Sequence, residues 1–190
     1  MFVSCIGDSL TQFGIRTNGW ISLLNSWYER EIQFLSFGYS GYNTKWILEN
    51  LKDILEIPTP VYIIWLGTND CCKDTSQFVS VANFKNNMAL IINQIKAFAT
   101  DPIIIVLSPV PNERFERSTA SDYAKQIADL TRTLDFVFVD LFKLSWSTDD
   151  YSDGLHLSDK GNFKIFRLLK EQVIPTEIKY NRQLQDWKDL

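Results

Sequence analysis

The chain contains a single histidine, His156. Any step that takes and returns a proton near neutral pH is therefore confined to one obvious position, because imidazole is the side chain whose ordinary pKa suits that task. Asp153 stands three residues earlier in Asp153-Gly154-Leu155-His156. A tight turn, or the first turn of a helix, can bring its carboxylate to the ring Nδ1–H and fix the tautomer. Far upstream, Gly7-Asp8-Ser9-Leu10-Thr11 offers a hydroxyl, and Gly38-Tyr39-Ser40-Gly41-Tyr42-Asn43-Thr44 offers flexible backbone N–H groups. Gly67-Thr68-Asn69-Asp70 adds an amide side chain. Singly, these read as an ordinary turn, a helix-entry glycine and a capping segment. Together they fill the slots of a serine hydrolase: nucleophile, base, orienting acid and several donors for an oxyanion.

Such residues are useful only if the chain gathers them. Apolar runs of strand length recur at Phe2 to Ile6, Ile32 to Phe37, Val61 to Leu66, Ile103 to Leu107 and Phe136 to Val139. Most are rich in β-branched or aromatic residues, and four are apolar almost throughout, as expected of parallel strands covered on both faces. Ile32 to Phe37 reads as an edge. Between them, Trp20, Leu23, Leu24, Trp27 and Tyr28 form one helical stripe, and Met88, Ile91, Ile92, Ile95 and Phe98 form another. Tyr123, Ile127, Leu130 and Leu134 repeat the pattern, as do Phe163, Phe166, Leu169 and Val173. Thr44 to Leu55 supplies the helix after the second strand, with Thr44 as its N-cap and Pro58 and Pro60 ending the segment. Strict alternation predicts an α/β fold: a three-layer α/β/α sandwich with a five-stranded parallel sheet in the flavodoxin-like order 2-1-3-4-5. Ligands in such sheets bind beyond the carboxyl ends of the strands, where every candidate above falls. One domain is expected over residues 1–175. The tail 176–190 is polar except for Ile178, Tyr180, Leu184, Trp187 and Leu190, and is expected to pack on the domain or at an interface, including that of a homodimer.

Four blocks in order from Ile6 to Asn162 resemble those of the SGNH, or GDSL-type, hydrolase superfamily. They are Ile6-Gly7-Asp8-Ser9-Leu10-Thr11, Gly38 to Thr44, Gly67-Thr68-Asn69-Asp70, and Asp153-Gly154-Leu155-His156-Leu157-Ser158 with Gly161-Asn162. The strings Ser40 to Trp46 and Asp153 to Asn162 are most similar to the isoamyl acetate-hydrolysing esterase branch. The resemblance implies Ser9 as nucleophile, His156 as base and Asp153 as orienting acid, with the N–H groups of Ser9 and Gly41 and the Asn69 amide in the oxyanion hole. Asp8 has a supporting role, shaping the turn and bonding nearby backbone. One departure is Ser36, where related sequences often carry Asn two residues before the glycine that matches Gly38. The activity implied is a serine esterase acting on short-chain, acetyl-type esters through an acyl-enzyme. The same site could serve as a thioesterase, lysophospholipase or carbohydrate O-acetylesterase, and a binding module on the same fold is the alternative of another class.

Composition narrows the partners. The chain has 190 residues, 19 basic and 23 acidic, for a net charge of −4. No basic footprint for a phosphate backbone exists, so nucleic acid is not an expected partner. The apolar runs are far shorter than the ~20 residues a membrane helix requires, so no integral membrane association is expected. The N-terminal residues lack the pattern of a secretory signal, and three cysteines, two of them adjacent at Cys71 and Cys72, suit reduced thiols and a cytoplasmic protein. Cys5 reads as core, and Cys71 and Cys72 as loop filler. A lone histidine excludes His-Glu-x-x-His zinc sites, and no Gly-x-Gly-x-x-Gly or Walker loop is present, so neither metal nor cofactor is expected. The remaining expected ligand is a small ester.

Overall fold

The computed structural model describes residues 1–174 apart from 30, 74 and 112–116. Five strands, β1 (Phe2–Gly7), β2 (Gln33–Gly38), β3 (Val61–Trp65), β4 (Ile103–Leu107) and β5 (Val137–Val139), form one sheet. Their order is β2-β1-β3-β4-β5, and every pair is parallel. The helices are α1 (Ser9–Gln12), α2 (Trp20–Tyr28), α3 (Thr44–Glu49), α4 (Leu51–Ile54), α5 (Val81–Phe98), α6 (Arg117–Leu130) and α7 (Asp159–Leu168).

The strands are apolar throughout because both faces are covered. In β3 all five residues are buried: Val61, Ile63 and Trp65 face a core shared with Trp20, Ile21 and Leu24 of α2 and Ile165 and Phe166 of α7. Tyr62 and Ile64 face the opposite core, with Ile47 of α3, Leu51 and Ile54 of α4, Phe84, Met88 and Ile92 of α5, and Tyr123 and Ile127 of α6. Two separate apolar cores flanking one sheet make the three-layer α/β/α sandwich that the alternation predicts.

Strand ends shift by at most a residue from the sequence reading, and some helix boundaries differ from it for local reasons. The expected helix Thr44 to Leu55 is two helices, broken at Asn50 (φ −108°, ψ 7°), whose side-chain amide donates to the Trp46 carbonyl at 2.7 Å and caps the first. The N-cap of α3 is Asn43, not Thr44: Asn43 Oδ1 accepts the Trp46 N–H at 2.9 Å, while the Thr44 hydroxyl is drawn to a buried carboxylate described below. Leu134 lies in the turn after α6, its N–H bonded to the Leu130 carbonyl at 2.8 Å, and still packs against the core. After α7 the chain widens into a π-helical turn over Leu169–Val173. Pro175 and the tail 176–190 lie outside the described residues. Among those residues no helix is long and apolar enough to cross a membrane.

Candidate active site

The parallel strands deliver their carboxyl ends to one edge, and β1 sits between β2 and β3, so the turns after these three strands are neighbours. Ser9 is the first residue of α1, immediately after β1, and is 6% exposed. The turn is held by Asp8, whose Oδ1 accepts the Leu10 N–H at 2.9 Å. α1 lies directly on the end of β2: a Cβ added to Gly38 would sit 2.1 Å from the Gln12 nitrogen, so glycine there is a condition of this close approach. At the position of the expected departure, the Ser36 hydroxyl donates to the Thr11 carbonyl at 3.3 Å, tying β2 to the same helix.

The loop after β2 is fastened at both of its sides. The Tyr39 N–H donates to the Gly7 carbonyl at 3.0 Å and the Ser40 N–H to Gln12 Oε1 at 2.7 Å. Gly41 occupies the left-handed region at φ +81°, which only glycine enters without strain. From the loop after β3, Asn69 Nδ2 donates to the Tyr42 carbonyl at 2.8 Å, which leaves its second amide hydrogen for another acceptor. Asp70, fully buried, accepts the Thr44 hydroxyl at 2.5 Å and the Thr44 N–H at 3.1 Å. Burial pushes the Asp70 carboxyl up to about 7 against the bonds from Thr44. Burial likewise pushes Asp8 up to about 7, opposed by the Leu10 N–H and reinforced by the charge of Asp70.

His156 reaches this edge from the long connection between β5 and α7. Its Nε2 lies 3.0 Å from Ser9 Oγ, and its Nδ1 lies 2.8 Å from Asp153 Oδ2. The other Asp153 oxygen accepts the N–H groups of His156 (2.8 Å) and Leu155 (3.0 Å). Burial works against the Asp153 charge, but the ring and these N–H groups outweigh it and hold the carboxyl down at about 2. An ionised carboxylate only accepts, so Nδ1 carries a proton toward Asp153, and in the neutral ring the Nε2 lone pair faces the Ser9 hydroxyl. The loop closes on itself through the Ser152 N–H to the His156 carbonyl (2.8 Å) and an antiparallel bridge between Tyr151 and Leu157. Asp150 anchors it below: this buried carboxylate accepts from Lys164 and from the Ser147 N–H.

Ser9, His156 and Asp153 thus form a continuous hydrogen-bonded chain that can activate a hydroxyl, with Gly41 and Asn69 on the flanking loops. The sequence reading missed Phe13, whose ring centroid lies 5.0 Å from that of His156, and Arg16, stacked 3.6 Å over Phe13. Both border a cleft of about 410 Å³ beside His156 and Asp153. It also missed Gln77, whose amide reaches Gly41. Helical aromatic spacing draws attention elsewhere in this chain, and neither a short turn nor a loop glutamine carries a periodic signal. Cys71 and Cys72 are buried, each with its sulfur against the Thr68 carbonyl, and burial pushes the Cys71 thiol up to about 12. Among the described residues no group of three or more His, Cys, Asp or Glu side chains converges as a metal site would require.

A model of the GDSL-like Lipase/Acylhydrolase family matches residues 5–162, from β1 to the first turn of α7. The chain belongs to the GDSL-like lipase/acylhydrolase family. Within that family it is 29% identical over 225 aligned positions to the isoamyl acetate-hydrolyzing esterase of Saccharomyces cerevisiae, covering 97% of this chain and 92% of that protein. It is 30% identical to the isoamyl acetate-hydrolyzing esterase of Schizosaccharomyces pombe, covering 92% of this chain and 74% of the relative. The fold matches the crystal structure of the lipase/acylhydrolase from Enterococcus faecalis with a TM-score of 0.81 at 21% identity, over 95% of this chain and 98% of that one. This GDSL hydrolase is accordingly a carboxylic ester hydrolase of the esterase branch. The segment spanned by the family model holds all four blocks noted in the sequence.

Proposed function

We propose that this GDSL esterase hydrolyses short-chain, acetyl-type esters through an acyl-enzyme on Ser9. The observation that carries the reading is the unbroken chain from Ser9 Oγ through the His156 ring to Asp153, at 3.0 and 2.8 Å. Likeness over nearly the whole chain to esterases named for isoamyl acetate supports the substrate class.

In the first step Ser9 Oγ attacks the acyl carbon as its proton passes to His156 Nε2. The carbonyl oxygen takes the electron pair, and the N–H groups of Ser9 and Gly41 and the spare amide hydrogen of Asn69 hold that negative charge. Asp153, kept ionised, stabilises the imidazolium through Nδ1–H. Collapse expels the alkoxide, which leaves as the alcohol with the proton from Nε2. Water then enters, gives its proton to Nε2 and attacks the acyl-enzyme. A second collapse returns that proton to Ser9 Oγ and releases the carboxylic acid.

Hydrolysis of p-nitrophenyl acetate by the wild type and by Ser9→Ala, with circular dichroism to show that both are folded, tests this directly. Activity should vanish with the hydroxyl. Turnover surviving in a folded Ser9→Ala protein would remove Ser9 from the mechanism, and an inactive wild type would sink the acetyl-ester reading.

A further inference from the structure

Gln77 lies in the connection between β3 and α5, outside all four blocks, and is fixed at both ends. Its Nε2 donates to the Gly41 carbonyl at 2.9 Å. Its backbone carbonyl accepts from Asn43 Nδ2, also at 2.9 Å, and Asn43 is the buried N-cap of α3. The Gln77 N–H donates to Thr75 Oγ, whose hydroxyl donates in turn to the Cys72 carbonyl at 2.8 Å. The amide is packed closely enough on the loop that a Cβ added to Gly41 would lie 3.1 Å from it.

Consecutive peptide groups of the loop after β2 are therefore held by one connection: the Gly41 carbonyl by Gln77, the Tyr42 carbonyl by Asn69, and the Thr44 N–H by Asp70. Asn69 and Asp70 belong to a recognised block, and Gln77 does not. Its attachment falls at the point of least intrinsic rigidity, because a glycine at φ +81° has no Cβ to oppose rotation of the peptide planes on either side.

We propose that Gln77 is a positioning residue for the oxyanion hole: its bond to the Gly41 carbonyl acts with the Tyr42 N–H bond to the Tyr39 carbonyl (3.0 Å) to fix the Gly41–Tyr42 peptide, and so limits rotation about Gly41, whose own N–H lies on the preceding peptide. This rests on the reading above that the Gly41 N–H is an oxyanion donor. Gln77 itself does not touch substrate in this reading. A preorganised hole costs no reorientation when charge develops, so loosening it lowers turnover and leaves ground-state binding largely unchanged.

The test uses Gln77→Met, which keeps the length and removes the donor, Gln77→Glu, which sets a carboxylate against the Gly41 carbonyl, and Gln77→Lys, which restores a donor. Each is compared with wild type and Ser9→Ala for p-nitrophenyl acetate kcat and KM, for phenylboronic acid inhibition and for thermal midpoint. Phenylboronic acid forms an anionic tetrahedral adduct on a serine and so reports the hole without turnover. The expected result is about a tenfold fall in kcat for Met and at least as much for Glu, with KM unchanged. Phenylboronic acid should weaken in parallel, the thermal midpoint should hold, and Lys should recover most of the loss. Wild-type kcat in the Met and Glu variants overturns the proposal, as does a loss confined to KM, or an equal loss in all three with a lowered midpoint. If Ser9→Ala itself stays active, the underlying function reading fails instead, and the two failures are told apart by that control.

Discussion

Replacing Asp8 by Asn should stabilise this protein at alkaline pH and do much less for it in mild acid. Asp8 is fully buried, and its Oδ2 has no hydrogen-bond partner among the described residues. Burial raises the carboxyl from 3.8 to about 7, the charge of Asp70 adds to the effect, and hydrogen bonding from the Leu10 N–H and from the Asp8 backbone works the other way without cancelling it. Between these two values the folded chain keeps a proton that the unfolded chain has released, so stability falls as pH rises through that window and is flat above it. For one such group the penalty grows by about 3 kcal/mol between pH 4.5 and pH 8. Asn keeps an acceptor for the Leu10 N–H and cannot ionise, so it removes that slope. The unfolding free energies of Asp8→Asn and wild type, from urea titrations at pH 4.5 and pH 8, should therefore diverge by about 3 kcal/mol, on the order of 6–12 °C in thermal midpoint for a domain of this size. A difference between the two proteins that is the same at both pH values would refute the reasoning, since it would mean that Asp8 is not held charged against its burial.

Two other substitutions probe the site and its support. Asn69→Ala removes the spare amide hydrogen and should lower kcat on p-nitrophenyl acetate by ~10²–10³, about 2.7–4 kcal/mol, with the fold kept by circular dichroism. An unchanged kcat in the folded variant would take Asn69 out of the hole. Lys164→Met should cost about 3 kcal/mol in urea unfolding, because it leaves the buried Asp150 carboxylate without its cation. A loss below about 1 kcal/mol would show that water or the Ser147 bonds carry that charge instead.

The sheet was legible because its strands are covered on both faces: Val61 to Trp65 has no polar interruption and consists of β-branched and aromatic residues. The break at Asn50 was not, since the residues around it keep a helical apolar pattern and the interruption comes from one side-chain amide competing for a carbonyl. Thr44 was misplaced by one position for a related reason. A hydroxyl at a helix start reads as a cap, and nothing local announces that a carboxylate 26 residues away will claim it. The Asp153–His156 contact follows from a spacing of three. The Ser9–His156 contact spans 147 residues, so it was reachable only through the strand ends and the family resemblance. Gln77 and Phe13 act through a few long-range contacts made by residue types common in any loop or turn.

The loop from Tyr151 to Leu157 is tied shut by its own bonds, and both Asp153 and His156 lie inside that knot. Their mutual geometry is local in origin, whereas the distance from His156 to Ser9 depends on how the knot is seated on the rest of the molecule. A disturbance of the seating, at Asp150, Lys164 or Phe13, therefore shifts the loop as a rigid piece. The signature of such damage would be an intact Asp153–His156 pair facing a serine it no longer reaches. Damage within the knot has the opposite signature, a seated loop with a misdirected ring, and the two are distinguishable by whether the Nδ1 proton keeps its carboxylate.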